Sequence, residues 1–524
     1  MASITVTDLT FAYEGTYDNI FTHTSFRIDT DWKLGFIGRN GRGKTTFLRL
    51  LLGTYPYQGS IQAPVRFDYF PYEVPDPQET TLNCVREVVA PFAAWEAEMA
   101  ACLERNGPGD LDRYGELQLR YAQQGGYEID GLIRRELGKL GLGEEPLGRP
   151  FATLSNGERT KALLAALFLK RNNFLLIDEP TNHLDLAGRD LLAEYLRGKR
   201  GFILVSHDRA FLDRCVDHVL SINRNSIEVQ RGNYTTWQQN KDLQDRYELE
   251  RNEQLKGEIG RLAEAVTRTA AWSDRIEAGK IGGHAGDRGH IGHMAAKMMK
   301  RSKAIERRQT EALEEKRALL KNVEQAGALS LHAQEHHSRR YVELREFSVL
   351  REGRPVFPEL TLTVERGDRV AVMGQNGSGK STLLRYLLGE RLESRGYCRV
   401  APGLRISYVP QDTGFLRGGL LDLARERGVD YTFLLTLLRY LDFPREQFEK
   451  PMERYSAGQR KKVLLAASLA DPGALLIWDE PLNYVDVLSR VQVENMLLQD
   501  RPTMLFTEHD RAFTDRVATK RLQL

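Results

Sequence analysis

Apolar and polar positions along the chain spell out one series of elements, and spell it twice. Leu34-Gly-Phe-Ile37 reads as a buried strand, a glycine loop runs from Gly38 to Lys44, and Phe47 to Leu52 reads as an apolar helix. Val370-Ala-Val-Met373, the loop Gly374 to Lys380 and Leu383 to Leu388 repeat the pattern. Long apolar helices then follow Leu154-Ser155-Asn156-Gly157-Glu158 and Tyr455-Ser456-Ala457-Gly458-Gln459. Two apolar strands, Phe174-Leu-Leu-Ile-Asp178 and Leu475-Leu-Ile-Trp-Asp479, each run into Glu-Pro. Leu184-Asp185 matches Val485-Asp486, and Ser206-His207-Asp208 matches Glu508-His509-Asp510. The expected fold class is α/β: two tandem nucleotide-binding domains, over residues 1–233 and 338–524, joined by a long antiparallel helical linker.

Spacing locates an insertion. Ser456 follows Ser155 by 301 positions and His509 follows His207 by 302, but Lys380 follows Lys44 by 336. The first half therefore carries about 35 extra residues between its glycine loop and Ser155. Thr81 to Arg105 reads as one helix, Asn106-Gly-Pro-Gly as a break, and Leu111 to Gln124 as a second helix. A helical arm is expected at about 80–128, and an enlarged helical subdomain is the alternative.

Past Asn233-Tyr234 the pattern changes. Leu255, Ile259, Leu262 and Val266 recur three and four apart, while Met298, Ile305, Ala312 and Leu319 recur every seven residues, with Val323 following. These two seams predict an antiparallel two-helix hairpin over 234–337. At ~1.5 Å per residue, 35 to 40 residues per helix make a lever about 50–60 Å long. Its tip, 281–293, has too many glycines for regular structure. Lys297, Lys300, Arg301, Lys303, Arg307 and Arg308 follow, with Glu306 the one acid among them. Most of the linker's charge reads as a solvated face. The basic stretch beside the tip is suited to nucleic-acid phosphates, and glycine permits close approach to a crowded surface.

Composition narrows the setting. With 524 residues and a net charge of +2, the chain as a whole is not a polycation. Cys84, Cys102, Cys215 and Cys398 are scattered, with no Cys-x-x-Cys pair, which speaks against a zinc site or disulfide framework and for a reducing cytoplasm. The N-terminal stretch lacks the pattern of a signal peptide, and no apolar run approaches 18 residues.

The chemistry lies in the repeats. Gly38-Arg-Asn40-Gly41-Arg-Gly43-Lys44-Thr45-Thr46 and Gly374-Gln-Asn376-Gly377-Ser-Gly379-Lys380-Ser381-Thr382 are P-loops, each between an apolar strand and an apolar helix. Their backbone N–H groups can curl round a polyphosphate, Lys44 and Lys380 can reach the β- and γ-phosphates, and Thr45 and Ser381 can ligate Mg²⁺. Ser155 and Ser456 fall at predicted helix N-termini, which suit an anion.

Together these motifs resemble the ABC ATPases. The tandem arrangement, Glu179-Pro-Thr-Asn-His-Leu-Asp185 and the lack of a membrane domain resemble the ABC-F group in particular. Gly289 to Lys303 and Glu480-Pro-Leu-Asn-Tyr-Val-Asp486 are most similar to ABC-F proteins of the Lsa/Vga type, which protect bacterial ribosomes from lincosamides, streptogramin A and pleuromutilins. The resemblance implies ATP and Mg²⁺ as ligands. It also implies a monomer whose halves complete each other's sites. Site one would join Lys44, Thr45, Asp178, Glu179 and His207 to Ser456 and Gly458. Site two would join Lys380, Ser381, Gln411, Asp479, Glu480 and His509 to Ser155 and Gly157. Asp178 and Asp479 would hold the metal through water, Glu179 and Glu480 would activate the attacking water, and the histidines would contact the γ-phosphate. Tyr13 could stack on adenine; its counterpart is Val349, with Phe347 as a substitute. Gln411 would reach Mg²⁺, whereas the first half has Tyr72, which has no amide oxygen to give. Two unequal sites are expected.

The implied partners are the 70S ribosome, its 23S rRNA and P-site tRNA, approached by the tip residues His284, Arg288 and His290 and the basic helix. A housekeeping ABC-F translation factor and the cytosolic ATPase of a drug exporter are the competing readings. A basic lever over 50 Å long argues against the exporter.

Overall fold

The computed structural model describes residues 2–14, 19–105, 107, 109–182, 184–222, 227–278, 300, 307–308, 331 and 336–524. Met1–Thr235 and Gly327–Leu524 form one compact unit, and Thr236–Ala326 belong to a second. The first unit holds both nucleotide-binding cassettes.

Each cassette is built on a mainly parallel sheet whose interior strands are buried and largely apolar on both faces, as burial under helices requires. In the first, the strand order is Arg66–Phe70, Asn173–Asp178, Phe202–Val205, Lys33–Ile37, His218–Ile222 and Ile227–Arg231, with only the last antiparallel to its neighbour. In the second it is Ile406–Val409, Leu475–Asp479, Thr503–Thr507, Arg369–Met373 and Lys520–Gln523. Both P-loops leave the C-terminal end of an interior strand. Asp178 and Asp479 end the strand two places away, and His207 and His509 follow the strand between. These side chains converge because the carboxyl edge of a parallel sheet gathers the loops that leave it. An antiparallel sheet flanks each parallel one, with Ser3–Phe11 central in the first cassette and Arg340–Arg351 in the second.

The insert departs from its expected form. Thr81 to Arg105 is two helices, Thr81–Val89 and Phe92–Arg105, because Pro91 keeps Ala90 out of the helical region; Ala90 is extended at φ −161°, ψ 159°. Asp110–Gln123 packs back along Phe92–Arg105, tied by Arg113 Nε to Glu98 Oε1 at 2.9 Å and by Tyr121 Oη to Glu96 Oε1 at 2.6 Å.

One helix runs over Tyr234–Ala278, and all but its first two residues belong to the second unit. Its 45 residues make about 67 Å of helix at ~1.5 Å each, past the expected range. Leu255 is buried on it. The tip 281–293, with His284, Arg288 and His290, lies outside the described residues, as do Lys297, Arg301, Lys303 and the seam Met298 to Val323. Lys300 is described and exposed.

The cassettes meet through charges that are mostly withdrawn from water. Arg209 Nη2 of the first lies 2.8 Å from Glu494 Oε2 of the second, and Arg516 approaches the other oxygen at 2.8 Å. Glu494 is fully buried, and burial pushes its carboxyl up despite the two guanidinium groups. Arg189 Nη1 bridges Asp208 Oδ2 at 2.9 Å and the His509 carbonyl at 3.1 Å, and Arg490 holds Asp510 at 3.1 Å. Ala193 occupies the first-half position that corresponds to Glu494, so the Arg209 contact has no mirror.

Removing one member of a buried ion pair leaves the other charge short of compensation, here Glu494 with the half-exposed Arg516 as its remaining cation. Arg209→Met should destabilise the two-cassette unit by about 3 kcal/mol and lower its thermal midpoint. Adding Glu494→Leu should recover most of that loss. Calorimetry of the three proteins checks this, and equal midpoints would show that the pair does not hold the interface.

Candidate functional site

Two cavities lie between the cassettes, and each takes its walls from both. The cavity over the second P-loop is about 990 Å³ and is lined by Asn376, Gly377, Gly379, Lys380, Ser381, Thr382, Gln411, Glu480 and His509 on one side. On the other side are Ser155, Asn156, Gly157 and Asp185 of the first cassette. The cavity over the first P-loop is about 820 Å³. Tyr13, Asn40, Gly41, Gly43, Lys44, Thr45, Thr46, Asp178, Glu179 and His207 line it, opposite Ser456, Gly458 and Tyr484 of the second cassette. Asn40 Nδ2 donates to the Tyr484 carbonyl at 2.7 Å, closing this seam directly.

The loops have the shape a polyphosphate needs. Gly43 and Gly379 precede their helices at φ 90° and 93°, in the left-handed region. A Cβ there would strike Ile20 or Phe21 in the first case and Val356 or Phe357 in the second. Neither helix start has a side-chain cap, so its N–H groups face the loop. Lys44 Nζ donates to the carbonyls of Gly38 (2.6 Å) and Arg39 (3.1 Å). Lys380 Nζ does the same to Gly374 (2.8 Å) and Gln375 (2.9 Å). Gly38 and Gly374 themselves stay outside the cavity walls. Ser155 and Ser456 cap the facing helices Asn156–Leu169 and Ala457–Ala470, each in a reciprocal box with Glu158 or Gln459.

Around the carboxylates the two sites part company. In site two, Glu480 Oε2 accepts from Gln411 Nε2 at 2.8 Å and from Asn483 Nδ2 at 2.7 Å, and His509 Nε2 stands 3.4 Å from Oε1. Burial pushes this carboxyl up, but His509, Asn483 and Lys380 outweigh burial and hold it below its ordinary value. In site one, neither oxygen of Glu179 accepts a hydrogen bond, and His207 Nε2 is 3.3 Å from Oε1. Burial, with Asp178 close by, pushes the Glu179 carboxyl up to about 8. Burial, with Lys44 nearby, keeps His207 neutral well below its usual range. Burial also lowers Lys44, against the pull of Asp486 and Glu179. Both glutamates sit at positive φ, 51° and 46°, an uncommon backbone for a non-glycine residue.

The aspartates differ as well. Asp178 Oδ2 accepts from Thr45 Oγ1 at 2.9 Å and from Tyr69 Oη at 3.0 Å. These hard oxygens, side by side on the cavity wall, are the kind Mg²⁺ takes together with substrate phosphates. Asp479 is more buried, does not line its cavity, and accepts from Thr507 Oγ1 at 2.7 Å. Tyr72 is not part of site one; its ring lies 5.6 Å from Lys170 Nζ. Tyr69, which the sequence did not single out, is the tyrosine that enters. The same triplet spacing puts Tyr408 before Gln411, so nothing in the motif marks Tyr69 as different.

Tyr13 lines site one with its hydroxyl 2.8 Å from Thr46 Oγ1 and its ring edge-on to Phe11 and Tyr55. Phe347 is corrected: it is buried against Tyr386 in the core, while Val349, Leu350 and Val356 form the matching wall. Asn182, Asn483 and Tyr484 were also missed. They lie inside recognised motif runs; Asn483 bonds Glu480 within its own run, whereas the partner of Tyr484, Asn40, comes from the other cassette.

The environment of Glu179 predicts a pH signature. Its folded-state value is above the unfolded one, so the proton it keeps stabilises the fold below about pH 4.5. That stability is lost as pH rises toward about 8. Glu179→Gln should therefore melt progressively higher than the native protein between these limits, with a constant gap above pH 8. Thermal melts across that range check this, and a gap independent of pH would contradict it.

The comparisons agree with this geometry. The ABC transporter family model matches residues 21–182 and 357–483. Among curated proteins, the ribosome protection protein VmlR of Bacillus subtilis (strain 168) is 28% identical over 534 residues, covering 99% of this chain and 86% of VmlR. The ATP-binding protein Uup of Haemophilus influenzae is 28% identical, covering 96% of this chain and 76% of Uup. Among solved structures, the archaeal ribosome recycling factor aABCE1, in complex with stalk protein aP1, superposes with a TM-score of 0.60 at 17% identity, covering 98% of this chain and 87% of that one. RNase-L Inhibitor gives 0.59 at 16%, with the same coverage; both likenesses are of fold. Matched by the family model over more than half its length, in two copies that each present a P-loop, the chain belongs to the ABC transporter family and is an ATPase.

Proposed function

We propose that the chain is an ABC-F ATPase of the bacterial cytoplasm. It binds the 70S ribosome and protects the peptidyl-transferase centre from lincosamides, streptogramin A and pleuromutilins. The division of labour is cassettes at 1–233 and 338–524, an arm at about 80–128 and a linker at 234–337. The ribosomal part of this reading is supported by one observation above others: VmlR, a ribosome protection protein, aligns with 99% of the chain, linker included. Uup, named only as an ATP-binding protein, aligns at the same identity and favours a second reading, a housekeeping translation factor. Among the described residues no helix is long and apolar enough to cross a membrane.

In the proposed cycle each ATP lies between the P-loop of one cassette and the signature serine of the other. Lys44 and Lys380 bind the β- and γ-phosphates, with the backbone of Gly38 to Thr46 and of Gly374 to Thr382 around them. Thr45 and Asp178 in site one, and Ser381, Gln411 and Asp479 in site two, would hold Mg²⁺, which neutralises phosphate charge. Glu179 and Glu480 take the proton of the attacking water, and His207 and His509 orient the γ-phosphate. Glu480, already ionised, is ready for that role. Glu179, held protonated by burial, must lose its proton before it can take that role. ATP draws the cassettes together, and the linker approaches 23S rRNA and P-site tRNA. His284, Arg288 and His290 lie at its tip, and Lys297, Lys300, Arg301 and Lys303 meet phosphates beside it.

Two experiments test the reading. Glu179→Gln/Glu480→Gln should still bind ATP, hydrolyse it at least about a hundredfold more slowly, and co-sediment with 70S ribosomes in ATP. Failure to co-sediment would reopen the exporter reading. Deleting Gly283 to Gly289 should abolish drug resistance while leaving ATPase activity and most ribosome affinity. Full resistance in that variant, measured by growth in each antibiotic, would refute a protective tip.

A further inference from the structure

Matching the halves position by position isolates a buried pair that only the second cassette has. Lys461 stands where the first has Thr160, and Glu508 where it has Ser206. All four are buried. A lysine and a glutamate inside a core cost folding energy unless they are well partnered, so their partners are informative.

Lys461 lies on Ala457–Ala470, one turn beyond Gly458, which lines site one. Its Nζ donates to the carbonyls of Pro410 at 2.9 Å and Gln411 at 3.1 Å. Gln411 belongs to site two, where its side chain holds Glu480. Glu508 accepts from the Leu482 N–H at 2.7 Å and from the His509 N–H at 3.0 Å. It thereby ties the loop after Glu480 to the loop bearing His509. Burial lowers Lys461, and the strongest charge acting against that effect is Glu508. Each therefore grips site-two backbone, Lys461 at the Gln411 loop and Glu508 at the loops after Glu480 and at His509.

The corresponding positions of the first cassette bond differently. Thr160 donates to Asn156 of its own helix at 3.0 Å and lines site one beside Pro71. The Ser206 hydroxyl pairs with Thr181 at 3.3 Å and accepts from the Asp208 N–H at 3.2 Å. Among the described residues its signature helix sends no lysine to the carbonyls of the loop that replaces the Gln411 loop; Lys170, at its far end, lies over the Tyr72 ring instead.

We propose that Lys461 and Glu508 are positioning residues through which closure of site one sets the loops of site two. A helix moves as a unit, so closure of Ser456 and Gly458 over site one displaces Lys461 with them. Lys461 then carries the Gln411 loop, and Glu508 the Glu480 and His509 loops, into place in site two. The Arg189 bridge between the His509 carbonyl and Asp208 is a separate link, and changes at Lys461 and Glu508 leave it intact. This proposal rests on the two composite sites assigned above.

The test uses the full chain. Site-two ATP turnover is measured with site one filled but inactive (Glu179→Gln) and with its phosphate grip removed (Lys44→Ala). With the native pair, the first rate should exceed the second by about fivefold or more. In Lys461→Thr/Glu508→Ser, which installs the hydroxyl pair the first cassette already packs, the ratio should fall below about twofold. The mirror ratio, site-one turnover in Glu480→Gln against Lys380→Ala, should not change with the swap, whereas a general loosening of the fold would shift both. Lys461→Met, which keeps the buried stem and removes the ammonium, should repeat the effect if the double swap folds poorly. An unchanged site-two ratio in folded swap and Met variants overturns the coupling and leaves the sites standing. If neither Glu179→Gln nor Lys44→Ala alters turnover, the site assignment falls and the coupling with it.

Discussion

Neither cassette can finish a nucleotide site alone, and the rest of the structure follows from that constraint. A P-loop surrounds phosphate from one side with backbone N–H groups and a lysine. The opposite side must come from a capped helix start in the other cassette, here Ser155 or Ser456. The cassettes must therefore be held face to face and still be able to part. Ion pairs such as Arg209 with Glu494, together with backbone contacts such as Asn40 to Tyr484, fit that requirement better than an apolar seam would. Charges cost energy to bury, so an interface built from them is specific without being permanent. Joining both cassettes in one chain makes the encounter intramolecular.

The two sites share a plan but not an electrostatic state. At Glu480, Gln411 and Asn483 donate to a carboxylate and His509 stands beside it, and those contacts overcome burial. At Glu179 the glutamine is missing, no donor takes its place, and burial prevails. The metal-side aspartates diverge the other way. Asp178 reaches its cavity with Thr45 and Tyr69 on it, while Asp479 is turned toward Thr507. Such inequality suits a cycle in which one site sets the closed state and the other times its release. It also gives a reason for the Lys461 link from site one to site two, since only unequal sites gain from an order of events.

Much was legible in the chain because local chemistry sufficed to write it. Glycine at positive φ before an apolar helix, serine with an acid or amide three residues later, and an apolar strand ending in Asp-Glu each encode a conformation within a few residues. Since they recur in order, the repeat, both P-loops and the pairing of motifs could be read directly. Where a distant atom mattered, the reading failed. Pro91 was local and could have been seen to break the arm helix. The exclusion of Tyr72 and entry of Tyr69 could not, since both flank the same proline and only the packing of the strand on its neighbour chooses between them. Phe347 looked available for adenine but was needed by the core.

The sequence by itself determined which backbone groups and side chains would be offered to ATP, because their spacing is short and the conformations are intrinsic to the residues. Only the tertiary structure decided the charge state of Glu179, the approach of Gln411 and His509 to Glu480 and the carbonyls that Lys461 holds. Those depend on desolvation and on atoms tens to hundreds of residues away, and neither is written in any local pattern.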